Sequence, residues 1–139
     1  MTTLDFLQNN LMLVGVAVAS GGMLLWQTFF STLGGGSQVG TAEATRLIND
    51  DALVLDVRDD KEWSEGHIPN AKHIPLGQLS GRLPELEKYK DKPIVVNCRS
   101  GNRSATACRS LKKAGFEHAH NLAGGLIAWE EAGLPITRK

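Results

Sequence analysis

The chain has 139 residues, room for one domain of ordinary size and little else, and at 22% charged and 42% hydrophobic it lies outside the disordered class. Lys plus Arg equals Asp plus Glu at 15 each, which excludes a general nucleic-acid binder, and the count of 2 cysteines excludes a disulfide framework and fits a reducing compartment.

The charges are unevenly placed. Asp5 is the only charged residue before Glu43, and the first basic side chain is Arg46. Between Leu11 and Phe30 lies an uncharged run that, as a helix rising about 1.5 Å per residue, would cover the roughly 30 Å hydrocarbon core of a bilayer. The direct expectation is one transmembrane helix over residues 11–30 behind an N-terminal tail of residues 1–10, with the lipid bilayer as its partner. Trp26, Phe29 and Phe30 would sit toward one interface, and Gly15, Ala19 and Gly22 would permit close approach of a second helix. A cleavable signal peptide ending at Ala17-Val18-Ala19 is the rival. Against it, no Lys or Arg precedes the run, and the run continues past that site. A buried core helix is disfavoured by the length of the run, its lack of charge and the glycines that follow. Basic side chains occur only C-terminal to the span, which favours a single-pass membrane protein with a cytoplasmic C-terminal domain. Residues 31–37, with Gly34-Gly35-Gly36 between Ser and Thr, read as a flexible linker. The domain is therefore expected over residues 38–139.

Thr41 is placed to N-cap a helix through Ile48. Residues 52–57 form a continuous apolar run too short for a helix, so they read as a buried parallel strand. Residues 58–69 read as a loop or short helical turn closed by Gly66, with Trp63 covering apolar surface. Ala71 to Pro75 looks like a short edge strand. Short helical pieces are expected at Leu76–Leu79 and Leu83–Tyr89, then a strand at 93–97. A firm helix follows from Arg103 to Ala114, with Ala107, Cys108, Leu111 and Ala114 on one stripe and Gly115 as its stop. A strand at 116–122 and a helix at 126–132 complete the alternation, which predicts a parallel sheet covered on both faces. Active sites of such sheets lie beyond the carboxyl ends of the strands, and Cys98 falls there.

The stretch Cys98-Arg99-Ser100-Gly101-Asn102-Arg103-Ser104 thus joins a buried strand to a helix N-terminus. Loop N–H groups and the helix dipole stabilise a thiolate at that place. Gly101 allows a left-handed turn, and Arg99 and Arg103 add positive charge for an anionic substrate. The bland alternative is a structural cysteine beside a polar loop. Cys108, on the apolar stripe, reads as core rather than as a resolving thiol. His118 and His120 share a strand face but lack a partner ligand in recognised metal spacing, so no metal is expected.

Three stretches together resemble the single-domain rhodaneses, or thiosulfate sulfurtransferase-like domains. They are Leu55-Asp56-Val57-Arg58 through Glu62 to Gly66-His67-Ile68-Pro69, the Cys98–Ser104 loop, and Leu122-Ala123-Gly124-Gly125 with Ala128-Trp129. The likeness covers about residues 38–136. It implies a three-layer α/β/α fold with a five-stranded parallel sheet and Cys98 as the catalytic, persulfide-forming residue. Arg99, Ser100, Gly101, Asn102 and Arg103 would bind the donor, with Asp56, Arg58, Glu62, His67, Ser104 and Trp129 in support. Of these, Asp56 and Arg58 read as a structural pair, His67 as a residue that orients its loop, and Trp129 as packing under the active-site helix. No cofactor is implied. The partners would be a small anionic sulfur donor and a thiol, protein or cyanide acceptor, with no nucleic acid. Asn70, where the family often has Gly, and Asn97 depart from the pattern.

Two other readings stand beside sulfur transfer. Protein tyrosine phosphatases place five residues between Cys and Arg around a phosphate, whereas Arg99 to Asn102 gives four here, so phosphatase or arsenate reductase is the lesser enzyme reading. A membrane-tethered interaction or sulfur-carrier module is the non-catalytic alternative, opposed by the presence of Cys98 and both arginines.

Overall fold

The computed structural model describes residues 2–33 and 38–139, in two compact units, Met1–Gly34 and Gly35–Lys139. In the first unit the expected tail is helical. Helix α1 (Thr3–Asn9) is closed by a capping box in which the Thr2 hydroxyl accepts from the Asp5 N–H and the Asp5 carboxylate accepts from the Thr2 N–H. Helix α2 (Leu11–Leu33) is apolar and long enough to cross a membrane over Leu11–Phe29, and Met12, Leu13, Leu24 and Leu25 stand exposed on it. The helix takes in residues 31–33 of the expected linker. Residues 34–37, the glycine stretch, lie outside the described residues.

The second unit is built on a five-stranded parallel sheet in the order β1-β5-β4-β2-β3. Its strands are β1 (Gln38–Val39), β2 (Leu53–Asp56), β3 (Lys72–His73), β4 (Ile94–Asn97) and β5 (Ala119–Leu122). Strand β4 is central because all four of its residues are buried, so it needs cover on both faces. Its register sets Val54 beside Val95, Leu55 beside Val96 and Asp56 beside Asn97 on one side, and Val96 beside Asn121 on the other. The carboxyl ends of β2, β4 and β5 therefore finish side by side.

Alternation along the strands divides the core between two layers. Leu55, Val57, Ile94, Val96, Cys98 and Ala119 face helix α5 (Asn102–Lys113) through its buried stripe of Ala107, Cys108 and Leu111, together with Leu79, which joins the 3₁₀ segments Leu76–Gln78 and Ser80–Tyr89, and Leu86 of the second. Val39, Val54, Val95 and Leu122 face helices α3 (Thr41–Asn49) and α6 (Gly125–Glu131) through Ala44, Leu126 and Trp129. Truncating a fully buried Leu111 to Ala would cost about 2–5 kcal/mol.

Three local expectations need correction. The residue that caps α3 is Gly40, with Thr41 already helical, because the chain leaves β1 extended at Gly40 (ψ 176). Trp63, expected over apolar surface, has two histidine rings as its stacking partners. It lies in α4 (Asp60–Glu65), stacked on His67 at 3.5 Å and on His73 at 4.6 Å between ring centroids. Trp129 packs on the face of the sheet opposite α5, not under it, and its indole N–H donates to Pro135 O at 2.8 Å. Asn70 takes φ 65, a left-handed conformation that Asn tolerates better than most residues, so the usual Gly is not required there.

Candidate active site

Cys98 follows β4 and precedes the turn into α5, and only 1% of it is exposed. Gly101 makes that turn at φ 105, which brings its own N–H onto the Cys98 sulfur at 3.0 Å. The Ser104 hydroxyl, one helical turn into α5, stands 3.3 Å from the same sulfur. Burial opposes ionisation of Cys98. The Ser104 hydroxyl and the amides of Ser104, Gly101 and Ser100 outweigh it and hold the thiol below its ordinary range. Cys108 has no such donors, and burial pushes its thiol up to about 12.

The loop is clamped from behind by α6. Leu126 N–H donates to Cys98 O at 2.9 Å and Ile127 N–H to Arg99 O at 3.2 Å. Only glycine permits this at Gly125, where φ is 58 and a Cβ would stand 2.5 Å from the Arg99 carbonyl carbon and oxygen. Of the two glycines in the third signature, Gly125, the first residue of α6, is thus explained by a close approach of backbones, and Gly124, its cap at φ 74, by a left-handed turn in which a Cβ would stand 2.7 Å from the Ala128 methyl.

On the other side, the Asp56 carboxylate accepts from the Arg58 guanidinium, with both side chains buried, and Arg58 Nη2 also donates to Gly66 O at 2.6 Å. This pair fixes the segment after β2 rather than reaching the sulfur. His67 ties the same segment to the C-terminal strand-like stretch: its ring nitrogens lie 2.9 Å from Trp63 O and 2.7 Å from Lys139 O, and its backbone bridges to Thr137.

The two arginines of the loop differ. Arg103 is engaged by Glu62 through two hydrogen bonds of 2.7 and 2.9 Å. Arg99 is exposed and makes no ion pair among the described residues. A cavity of about 260 Å³ opens beside the loop, lined by Arg58, Glu62, Glu65, Gly66, Arg99, Leu126, Ile127 and Glu130. Ser100 and Asn102 of the loop are exposed, and Asn102 opens α5.

One residue at the site escaped the sequence reading. Asn121, 2% exposed at the end of β5, donates through Nδ2 to Gly101 O at 3.0 Å and accepts through Oδ1 from Ser104 at 2.5 Å. Its only signal was a polar residue within a strand that otherwise ends apolar. His118 lies outside β5 and His120 within it, and no group of three metal-ligating side chains occurs among the described residues.

A parallel α/β sheet that delivers a cysteine from its central strand into a helix-opening loop of inward donors defines a class of thiol-based group-transfer domain. A family model described as "Rhodanese-like domain" matches residues 41–132, and the chain belongs to that family. It is 41% identical over 87 residues to a protein named "Sulfurtransferase" of Allochromatium vinosum, covering 63% of this chain and 79% of the relative. Among solved structures, a rhodanese-related protein from Thermoplasma volcanium aligns with a TM-score of 0.68 at 33% identity, over 74% of this chain and 99% of that one. A rhodanese-like domain protein from Staphylococcus aureus aligns at 0.63 and 32% identity, over 73% and 98%.

Proposed function

We propose that the protein is a membrane-tethered sulfurtransferase that takes sulfur from thiosulfate or a related sulfane-sulfur anion onto Cys98 and passes it to cyanide or a thiol. The observation that carries this reading is the Cys98 sulfur held by Gly101 N–H at 3.0 Å with the Ser104 hydroxyl at 3.3 Å. These groups favour a thiolate and, after transfer, the anionic persulfide.

In the first half-reaction the Cys98 thiolate attacks the outer sulfur of thiosulfate. The S–S bond of the donor breaks, its electron pair leaves with sulfite, and Cys98 carries a persulfide. In the second, cyanide or a thiolate attacks that outer sulfur, and the pair of the broken S–S bond returns to Cys98. Arg99 meets the charge of the donor, because Arg103 is already paired with Glu62. Ser100, Gly101 and Asn102 form the loop backbone around the incoming anion. The four-residue interval from Cys98 to Arg103 supports sulfur over phosphate.

The helix Leu11–Leu33 supports a bilayer anchor, and the placement of all basic residues after it supports a cytoplasmic domain. The test of the chemistry is to give the full chain in detergent thiosulfate and look by mass spectrometry for one added sulfur on Cys98, with Cys98→Ser as control. A sulfur adduct transferable to cyanide or a thiol is expected; no adduct, or cysteine-dependent hydrolysis of aryl phosphates instead, overturns the reading.

A further inference from the structure

Four polar groups around Cys98 close into a ring. Gly101 N–H donates to the sulfur, Gly101 O accepts from Asn121 Nδ2, Asn121 Oδ1 accepts from Ser104, and the Ser104 hydroxyl returns to the sulfur. Cys98, Ser104 and Asn121 are all buried, so water does not compete for these groups. The donation to Gly101 O fixes which way the Asn121 amide points, and its carbonyl therefore faces Ser104.

A serine hydroxyl has one proton to give, and here it has two acceptors: Asn121 Oδ1 at 2.5 Å and Cys98 Sγ at 3.3 Å. The shorter O–H···O contact is the stronger of the two. We infer that Asn121 is a positioning residue for sulfur transfer, which draws the Ser104 proton away from the resting thiol so that Ser104 turns it onto the sulfur only when the sulfur carries charge. In the resting state the Ser104 lone pair faces Sγ and accepts the S–H. In the thiolate and persulfide the hydroxyl rotates and donates. Asn121 thereby limits how acidic Cys98 becomes at rest, and holds Gly101, the other donor, through the same amide.

The inference rests on reading Cys98 as the reactive thiol, but its test needs no sulfur donor. The charged groups on the elements that adjoin the Cys98 loop are Arg99 of the loop, Arg103 of α5 with Glu62 of α4, the Asp56–Arg58 pair after β2, and Glu65 and Glu130 at the cavity. None of them hydrogen-bonds Asn121 among the described residues, so they are common to every variant compared.

The experiment is the pH dependence of Cys98 alkylation by iodoacetamide in the full chain. Asn121→Leu removes the competing carbonyl and leaves Ser104 only the sulfur, so the midpoint should fall by about half to one pH unit, the worth of one redirected hydrogen bond. In a Ser104→Ala background the same substitution should not lower the midpoint, since only the hold on Gly101 is then lost. Should N121L fail to fold, Asn121→Ala removes the same carbonyl with less demand on packing and carries the same expectation. An unchanged or higher midpoint with Ser104 present, or an equal fall without it, overturns the inference. Failure there would leave sulfur loading of Cys98 intact, whereas failure of the sulfurtransferase reading would show as no loading at all.

Discussion

Arg103 and Glu62 meet across 41 residues of sequence as a two-point pair, Nη1 to Oε1 at 2.7 Å and Nη2 to Oε2 at 2.9 Å, and so fasten α5 to α4. The Arg103 guanidinium, by hydrogen bond above all, draws the Glu62 carboxyl from an ordinary 4.5 down to about 2. A carboxyl whose pKa is lowered on folding contributes stability that is complete above its unfolded value and is lost as pH falls through its folded one. Because the Arg103 side chain is 38% exposed, solvent screening reduces that contribution to about 1 kcal/mol. Glu62→Gln should therefore be less stable than the native chain by about 1 kcal/mol at pH 7, with the gap closing between pH 4.5 and 2. Urea unfolding at several pH values measures it; a gap that persists at pH 2 would assign the loss to something other than this charge.

The two cysteines should separate cleanly in reactivity. Cys98 is held below the ordinary thiol range by the donors that surround it, and Cys108 is pushed up to about 12 by burial. Native protein treated with a small alkylating agent at neutral pH should take up one equivalent, on Cys98. Peptide mapping reads the site, and denaturation should expose Cys108 to the same reagent.

How much of this was legible in the sequence follows from the range of the interactions. The run at Ile94 to Asn97 announced a central strand because burial on both faces leaves no alternation to misread. Strand β1 is only Gln38–Val39, too short for any period, and gains its identity from pairing with Asn121 and Leu122 of β5. The helix stripe of Ala107, Cys108 and Leu111 was readable from spacing, but spacing does not say which face of a sheet a helix covers, and Trp129 was assigned to the wrong layer for that reason. Cys98 and its loop stood out because they are contiguous. The pairing of Arg103 with Glu62 and of Ser104 with Asn121 joins distant segments, so residue types alone left Arg103 with the donor and Asn121 unnoticed.

Asp56 and Arg58 should be intolerant of single changes. Their side chains are buried, and Arg58 also supports Gly66 O, so Asp56→Ala leaves a guanidinium without its counter-charge. The expected loss is about 3–5 kcal/mol. Replacing both together, Asp56→Leu with Arg58→Met, should recover much of it, since desolvation of the ions is then avoided as well. Chemical denaturation of the two variants beside the native chain gives the comparison, and equal losses in single and double variants would show that the pair acts through shape alone.

Gly125 should be the most restricted position outside the loop itself. Its φ of 58 and the carbonyls of Arg99 and Cys98 at 2.5 and 2.6 Å from a Cβ leave no room for a methyl group. Gly125→Ala must either withdraw α6, breaking the Leu126 N–H bond to Cys98 O, or displace the loop. A loss of about 2 kcal/mol or more is expected. On the proposed function, sulfur loading of Cys98 should fall with it even in conditions where circular dichroism shows the variant folded, because the clamp and the Cys98 loop share the same two carbonyls.

The helix Leu11–Leu33 leads to a cell-level expectation. Met12, Leu13, Leu24 and Leu25 stand exposed along it, and it is long and apolar enough to cross a membrane over Leu11–Phe29, which supports the proposed bilayer anchor. The full chain should sediment with membranes and resist extraction at alkaline pH, while a chain beginning at Gln38 should remain in the supernatant. A charge placed near the middle of the span, Val18→Arg, carries an insertion penalty of about 3 kcal/mol and should shift part of the protein out of the membrane fraction. Paired replacement of Val18 and Met23 by arginine should shift most of it. Recovery of the native chain in the soluble fraction, or its release by alkaline wash, would remove the anchor and with it the reason to look for sulfur donors and acceptors near a bilayer.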